Sequence, residues 1–168
     1  YKAASGYVVY RGVNGKAYTI AGVVQNPDTT SFVDVTAKNV GVKYTYKIRT
    51  YKTFGDVTYN SAFGGEKTGS YVPAVKLKKF TSASAGTAKV TYNKVAKATG
   101  YQIQYADNAS FKSAKTANVN GGSVTSKTIK RLTKGKRYYV RVRSFKKIDG
   151  KVYYSAWSGK KSVVIKKR

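Results

Sequence analysis

Apolar and polar residues alternate along this chain in short runs: Ala88-Lys-Val-Thr-Tyr92, Tyr101-Gln-Ile-Gln-Tyr105, Tyr138-Tyr-Val-Arg-Val-Arg143 and Ser162-Val-Val-Ile165. Clusters of Gly, Asn, Asp or Ser bound each run, the pattern of half-buried strands separated by turns. Side chains two apart share one face of a strand. Val90 and Tyr92, then Tyr101, Ile103 and Tyr105, then Tyr138, Val140 and Val142 are therefore predicted to meet in one core. Tyr139, Arg141 and Arg143 are left on the outside of the same ribbon. The expected class is all-β, a sandwich of the seven-strand type.

The pattern occurs twice. Subtracting 94 from a residue number in Ala98–Ser162 gives its partner in Ala4–Thr68 without a gap, with identities at Gly6/Gly100, Tyr7/Tyr101, Gly41/Gly135, Tyr44/Tyr138, Arg49/Arg143, Tyr59/Tyr153 and Ser61/Ser155. A period of that length is a repeated domain rather than a solenoid unit. Domains are expected at residues 1–70 and 71–168, joined by Thr68-Gly-Ser-Tyr-Val-Pro73. The second copy has a lead-in, Pro73–Lys97, that the first lacks. With no methionine in the sequence, Tyr1 is not a translation start. The chain is expected to be a piece of a longer protein whose other segments complete the first copy.

Turn chemistry supports the repeat. Asp149-Gly150 suits a two-residue type I′ hairpin, since both residues tolerate positive φ. Its counterpart Gly55-Asp56 has the reversed order that suits type II′. The copies keep the hairpin and change the means of making it.

The succession Val75-x-Leu-x-x-Phe80, Lys89-Val-Thr-Tyr92, Gly100-Tyr-x-Ile-x-Tyr105, Leu132-x-x-Gly-x-x-Tyr-x-Val-x-Val142 and Tyr154-Ser-Ala-Trp-Ser158 resembles a fibronectin type III domain, strands A, B, C, F and G. The resemblance covers Val75–Lys166, and Ala4–Thr68 as the same domain without strands A and B. It implies two tandem immunoglobulin-like β-sandwiches. It also implies a tyrosine corner formed by Leu132, Gly135 and Tyr138, with the phenol tied back to nearby backbone. Tyr92 stands where the family usually has Trp. The lysine-rich style is similar to tandem modules of secreted and cell-surface proteins of Gram-positive, clostridial-type bacteria, which implies an extracellular, cell wall-associated location.

Composition removes most chemistry. The chain has no Cys and no His, which excludes thiol nucleophiles, Ser-His-Asp triads and the usual zinc sites. Its six carboxylates are Asp28, Asp34, Asp56, Glu66, Asp107 and Asp149, mostly in turn contexts. No calcium-loop or phosphate-loop motif occurs. The expectation is a non-enzyme with no cofactor and no metal, and no apolar run is long enough to span a membrane.

Charge is the strongest remaining signal. Residues 1–72 carry nine Lys/Arg against four acids, a net +5, while residues 73–168 carry twenty-four against two, a net +22. Such a domain attracts polyanions. An anionic cell-wall polymer or glycan is the expected partner, alongside other domains of the parent chain. No helix-turn-helix, zinc finger or ribonucleoprotein motif is present, so specific nucleic-acid recognition is not expected.

One face combines cations with rings. If alternation holds, Tyr139, Arg141, Arg143 and Phe145 face outward beside Trp157, which is placed at the start of strand G. The first copy carries Lys47, Arg49 and Phe63 at matching positions. The pairing resembles the Arg/Trp ladder of cytokine-receptor fibronectin domains and implies rings and cations satisfying each other. The rival reading makes the same face an adhesive platform for sugars or protein.

Overall fold

The computed structural model describes residues 4–168, and the chain divides into two compact units at Tyr71/Val72. The described residues form strands and turns without a helix.

The first unit is one antiparallel sheet. Its strands are β1 (Gly6–Val13), β2 (Thr19–Val24), β3 (Tyr44–Phe54), β4 (Val57–Asn60) and β5 (Lys67–Gly69), in the order β2-β1-β3-β4 with β5 also on β3. The second unit has two sheets. Strands β6 (Leu77–Thr81), β7 (Ala88–Tyr92) and β10 (Ser126–Ile129) make the order β10-β7-β6. Strands β8 (Gly100–Ala106), β9 (Lys115–Asn120), β11 (Arg137–Ile148) and β12 (Lys151–Tyr154) make the order β12-β11-β8-β9, with β13 (Lys161–Val164) also on β11.

Alternation sorts the second unit as expected. Val90, Tyr101, Ile103, Val140 and Val142 are fully buried, and Leu77, Phe80, Ile129, Leu132 and Ile165 close the core around them. Arg141 and Arg143 lie on the opposite face of β11 at intermediate exposure. Tyr92 is buried against Tyr101, with ring centroids 4.6 Å apart. Its hydroxyl has no partner among the described residues, and burial pushes its pKa far up. Tyr101 is better served: its hydroxyl accepts from the Val95 N–H and donates to the Gly122 carbonyl, both at 2.9 Å.

The tyrosine corner is present. Leu132 is buried, Gly135 has φ +74°, and the Tyr138 hydroxyl accepts from the Thr133 N–H at 3.3 Å. Both hairpins have two-residue loops. Asp149 and Gly150 have φ of +48° and +78°, as type I′ requires, and Gly55 has φ +54°, as the first position of type II′ requires.

Two differences from the sequence reading have physical causes. Trp157 is not at the start of a strand; it sits in an irregular segment between β12 and β13. There the Ser155 and Ser158 hydroxyls accept from the Ser144 and Val142 N–H groups at 3.1 and 3.0 Å, replacing backbone acceptors. Hydroxyls so placed satisfy β11 while the chain detours outward, which regular pairing would not permit.

In the first unit, residues 32–35 correspond to β10 but form no strand, and Val33 and Val35 are 77% and 65% exposed. In the second unit β10 is held by β7. The first unit has no counterpart of β6 or β7 among the described residues, so this segment has no neighbour to pair with. The inner face of its sheet is consequently half open, with Val9 and Tyr44 buried but Ile48 40% exposed.

Candidate functional site

The outer face of the second unit starts from register. Arg141 lies opposite Gln104 and Arg143 opposite Gln102 across the β11–β8 ladder. Alternation puts all four side chains on one side. The Arg141 Nε donates to Gln104 Oε1 at 2.7 Å; Arg143 donates to Gln102 Oε1 through Nε at 2.9 Å and Nη2 at 2.6 Å. Each glutamine thus fixes the position of a guanidinium on this face.

Rings fill the spaces between these planes. The Arg141 Cζ is 4.3 Å from the Phe111 ring centre and 4.8 Å from that of Trp157. The Arg143 Cζ is 4.3 Å from Trp157 and 3.8 Å from Tyr154. The order is Phe111, Arg141, Trp157, Arg143, Tyr154, with every cation between two ring faces. Burial pulls the Arg143 pKa below its ordinary value, Tyr154 opposing the shift and Arg141 adding to it. Cation–ring attraction is worth about 0.5–1 kcal/mol at exposed sites and about 2 when desolvated. A stack of this depth therefore contributes to the stability of the fold.

The remaining named residues fall around the stack. Phe145 packs at its end, 6.0 Å from Tyr154 between ring centres, and presses on Gly100, where an added Cβ would lie 2.6 Å from the Phe145 Cζ. Tyr139 shares the β11 face but lies opposite Ala106 and Ser162, outside the alternating stack.

The first unit repeats the arrangement with different outer rings. The Lys47 Nζ is 4.0 Å from the ring centres of both Tyr18 and Phe63. The Arg49 Cζ is 5.0 Å from Tyr10 and 5.1 Å from Phe63, and Arg49 also donates to the Tyr10 hydroxyl. Tyr18 donates to Glu66 Oε1 at 2.6 Å, a bond that raises the phenol pKa.

Sequence reasoning named the cations and one ring of each ladder and missed the other rings and the glutamines. Gln102 and Gln104 were within reach, since the alternation that turns Tyr101 and Ile103 inward turns them outward. Phe111 gave no signal, because it sits in a loop at φ +58° where no period operates.

A separate polar group lies on the inner side of the first sheet. Asp34 accepts from Arg11 Nη1 at 2.7 Å, from the Tyr46 hydroxyl at 2.9 Å and from Thr36 through its N–H at 2.9 Å and its hydroxyl at 2.7 Å. Burial alone would raise its pKa, but the hydrogen bonds outweigh burial and hold it at about 2. Burial, and next the bond to Asp34, push Tyr46 up to about 12.

No family model and no curated protein matches the sequence. Among solved structures, the chain is similar to the FN1-FN3 domains of chicken CNTN1, with 18% identity over 96% of this chain and 56% of that one, and a TM-score of 0.51. It is similar also to a two fibronectin type III domain segment from chicken tenascin, with 19% identity over 94% of this chain and 83% of that one, and a TM-score of 0.50. The chain thus spans just over half the length of the CNTN1 segment. At such identities the likeness concerns fold, and it agrees with strand order, hairpins and tyrosine corner: the chain has the fold of two tandem fibronectin type III-like domains, the first without strands A and B among the described residues.

Proposed function

We propose that this chain is a non-catalytic spacer and attachment module of a larger exported bacterial protein, held electrostatically to anionic polymers or glycans of the cell envelope. The observation that carries this reading is the +22 net charge of residues 73–168. Two carboxylates cannot neutralise twenty-four cations, and one of them, Asp107, already faces Lys136 at 3.6 Å. Exposed lysines such as Lys78, Lys79, Lys147, Lys160 and Lys161 occur on different strands and turns, a distribution suited to a flexible polyanion rather than to one rigid ligand. A field of this kind acts over a Debye length of about 8 Å at physiological salt.

The ladder rings are occupied by their own cations, which favours a structural role for that face over the rival adhesive platform. The test is binding of the full chain to purified wall teichoic acid across a salt series. Strong retention at about 20 mM salt and release by about 0.5 M is expected, since screening shortens the reach of exposed charges. Retention on a glycan array that ignores salt would favour the aromatic face instead. No retention at low salt would refute attachment.

A further inference from the structure

Three cations of the second unit, Lys115, Lys130 and Arg131, line one concave place. A cleft of about 390 Å³ opens at the end of the sandwich that holds the tyrosine corner, lined by Tyr105, Asp107, Lys115, Lys130, Arg131 and Tyr138 among others. Its only acid, Asp107, is engaged with Lys136 at the rim. The side chains of Lys115, Lys130 and Arg131 make no ion pair or hydrogen bond among the described residues, and the half-buried Tyr105 hydroxyl likewise has no partner there. Arg131 and Ser113, which also lines the cleft, are non-glycine residues with φ of +59° and +52°. Such backbone conformations are costly and tend to collect at functional places.

The duplicated unit gives an internal comparison. Tyr105 stands opposite Val140 in the second unit as Arg11 stands opposite Tyr46 in the first, 94 residues earlier on both strands. At that corner of the first unit a carboxylate is already seated: Asp34 receives Arg11, Tyr46 and Thr36. The 94-residue partner of Asp34 is Thr128, so the second unit supplies no acid of its own at that position. The partners of Ala21, Thr36 and Ala37 are Lys115, Lys130 and Arg131. One copy fills the corner with its own anion; the other surrounds it with unneutralised cations.

We propose, resting on the electrostatic attachment role, that this cleft is a discrete site for an oxyanion borne on a sugar-sized group. Lys130 and Arg131 contact the charge, Lys115 flanks it, and the Tyr105 hydroxyl donates a hydrogen bond. The cleft's volume lies at the small end of the ligand-pocket range, about 300–1,000 Å³. Arginine and lysine are the side chains suited to carboxylate and phosphate alike.

The test is an amide chemical-shift titration of the full chain with glucuronate, glucose 6-phosphate and neutral glucose. Saturable shifts confined to residues 105–107, 113–115 and 130–132 are expected with the two anionic sugars, and none with glucose. The stronger of the two identifies carboxylate or phosphate as the preferred group. Lys130→Ala/Arg131→Ala is expected to weaken binding at least about tenfold, against less than about twofold for Lys78→Ala/Lys79→Ala, which removes the same charge from β6. All four side chains are exposed, so unchanged melting of both variants verifies folding. Equal weakening by the two double variants, or shifts scattered over the lysine-rich surface, would overturn the site. If the wild type still binds teichoic acid in that event, attachment stands without the cleft; if it binds no polyanion at all, the attachment role itself is gone.

Discussion

Replacing Arg143 by Ala removes one of the two cations of the second ladder. Its guanidinium touches Trp157 and Tyr154 at 4.3 and 3.8 Å and donates twice to Gln102. Two ring faces contribute about 1–2 kcal/mol together. A hydrogen bond from a charged group adds about 1.5–3 kcal/mol. Against this stands the cost of burying the guanidinium, visible in its lowered pKa, which Ala does not incur. The net loss is about 2–3 kcal/mol, or about 8–15 °C in Tm for a unit of this size. Trp157 is the chain's single tryptophan and lies inside the ladder, so thermal unfolding of the full chain followed by its fluorescence reads this unit alone. Arg143→Lys keeps the charge but not the planar fork, and is expected to recover no more than about half. Because Gln102 is neutral, about 0.5 M salt should leave the difference standing. A variant melting within about 2 °C of the wild type would show that the stack is ornamental to stability and would reopen the adhesive reading of this face.

Gly100→Ala tests the packing beneath the ladder: the new Cβ would lie 2.3 Å from the Val119 carbonyl oxygen and 2.6 Å from Phe145. A loss of about 2 kcal/mol or more is expected in urea titration, and a neutral result would mean that β8 and β9 are not held as closely as described. Asp34 has its folded pKa depressed to about 2, so its contribution is present above the unfolded value near 4 and lost as pH falls toward 2. The contribution is about 2 kcal/mol, read as lower amide protection, relative to the intrinsic exchange rate at each pH, around Arg11 and Tyr46 on acidification; Asp34→Asn should remove that pH dependence, and its persistence in the variant would refute the assignment.

Much of the fold was legible because a two-residue period has few solutions once one face must be dry. Val140 and Val142 inward with Arg141 and Arg143 outward follows from that alone, and the same reasoning reached the hairpins through Asp149-Gly150 and Gly55-Asp56. The segment around Trp157 was not legible, since Ser155 and Ser158 act through hydroxyls bonded to another strand, an interaction without a period. Phe111 was hidden for a similar reason. Asp34 looked like a turn acid; its ion pair with Arg11 joins residues 23 apart in sequence, and no local pattern announces such a contact. The unpaired state of residues 32–35 was obscured because a strand's existence depends on its neighbour as much as on its own residues.

The detour that carries Trp157 also divides the outermost strand of its sheet into two pieces of four residues, β12 and β13. A long, straight rim of β-sheet presents free N–H and C=O groups on which another polypeptide can template itself. Here the rim is short, interrupted by an outward loop and studded with Lys151, Lys160 and Lys161. The segment that completes the ladder therefore also discourages neighbouring copies from zipping together edge to edge.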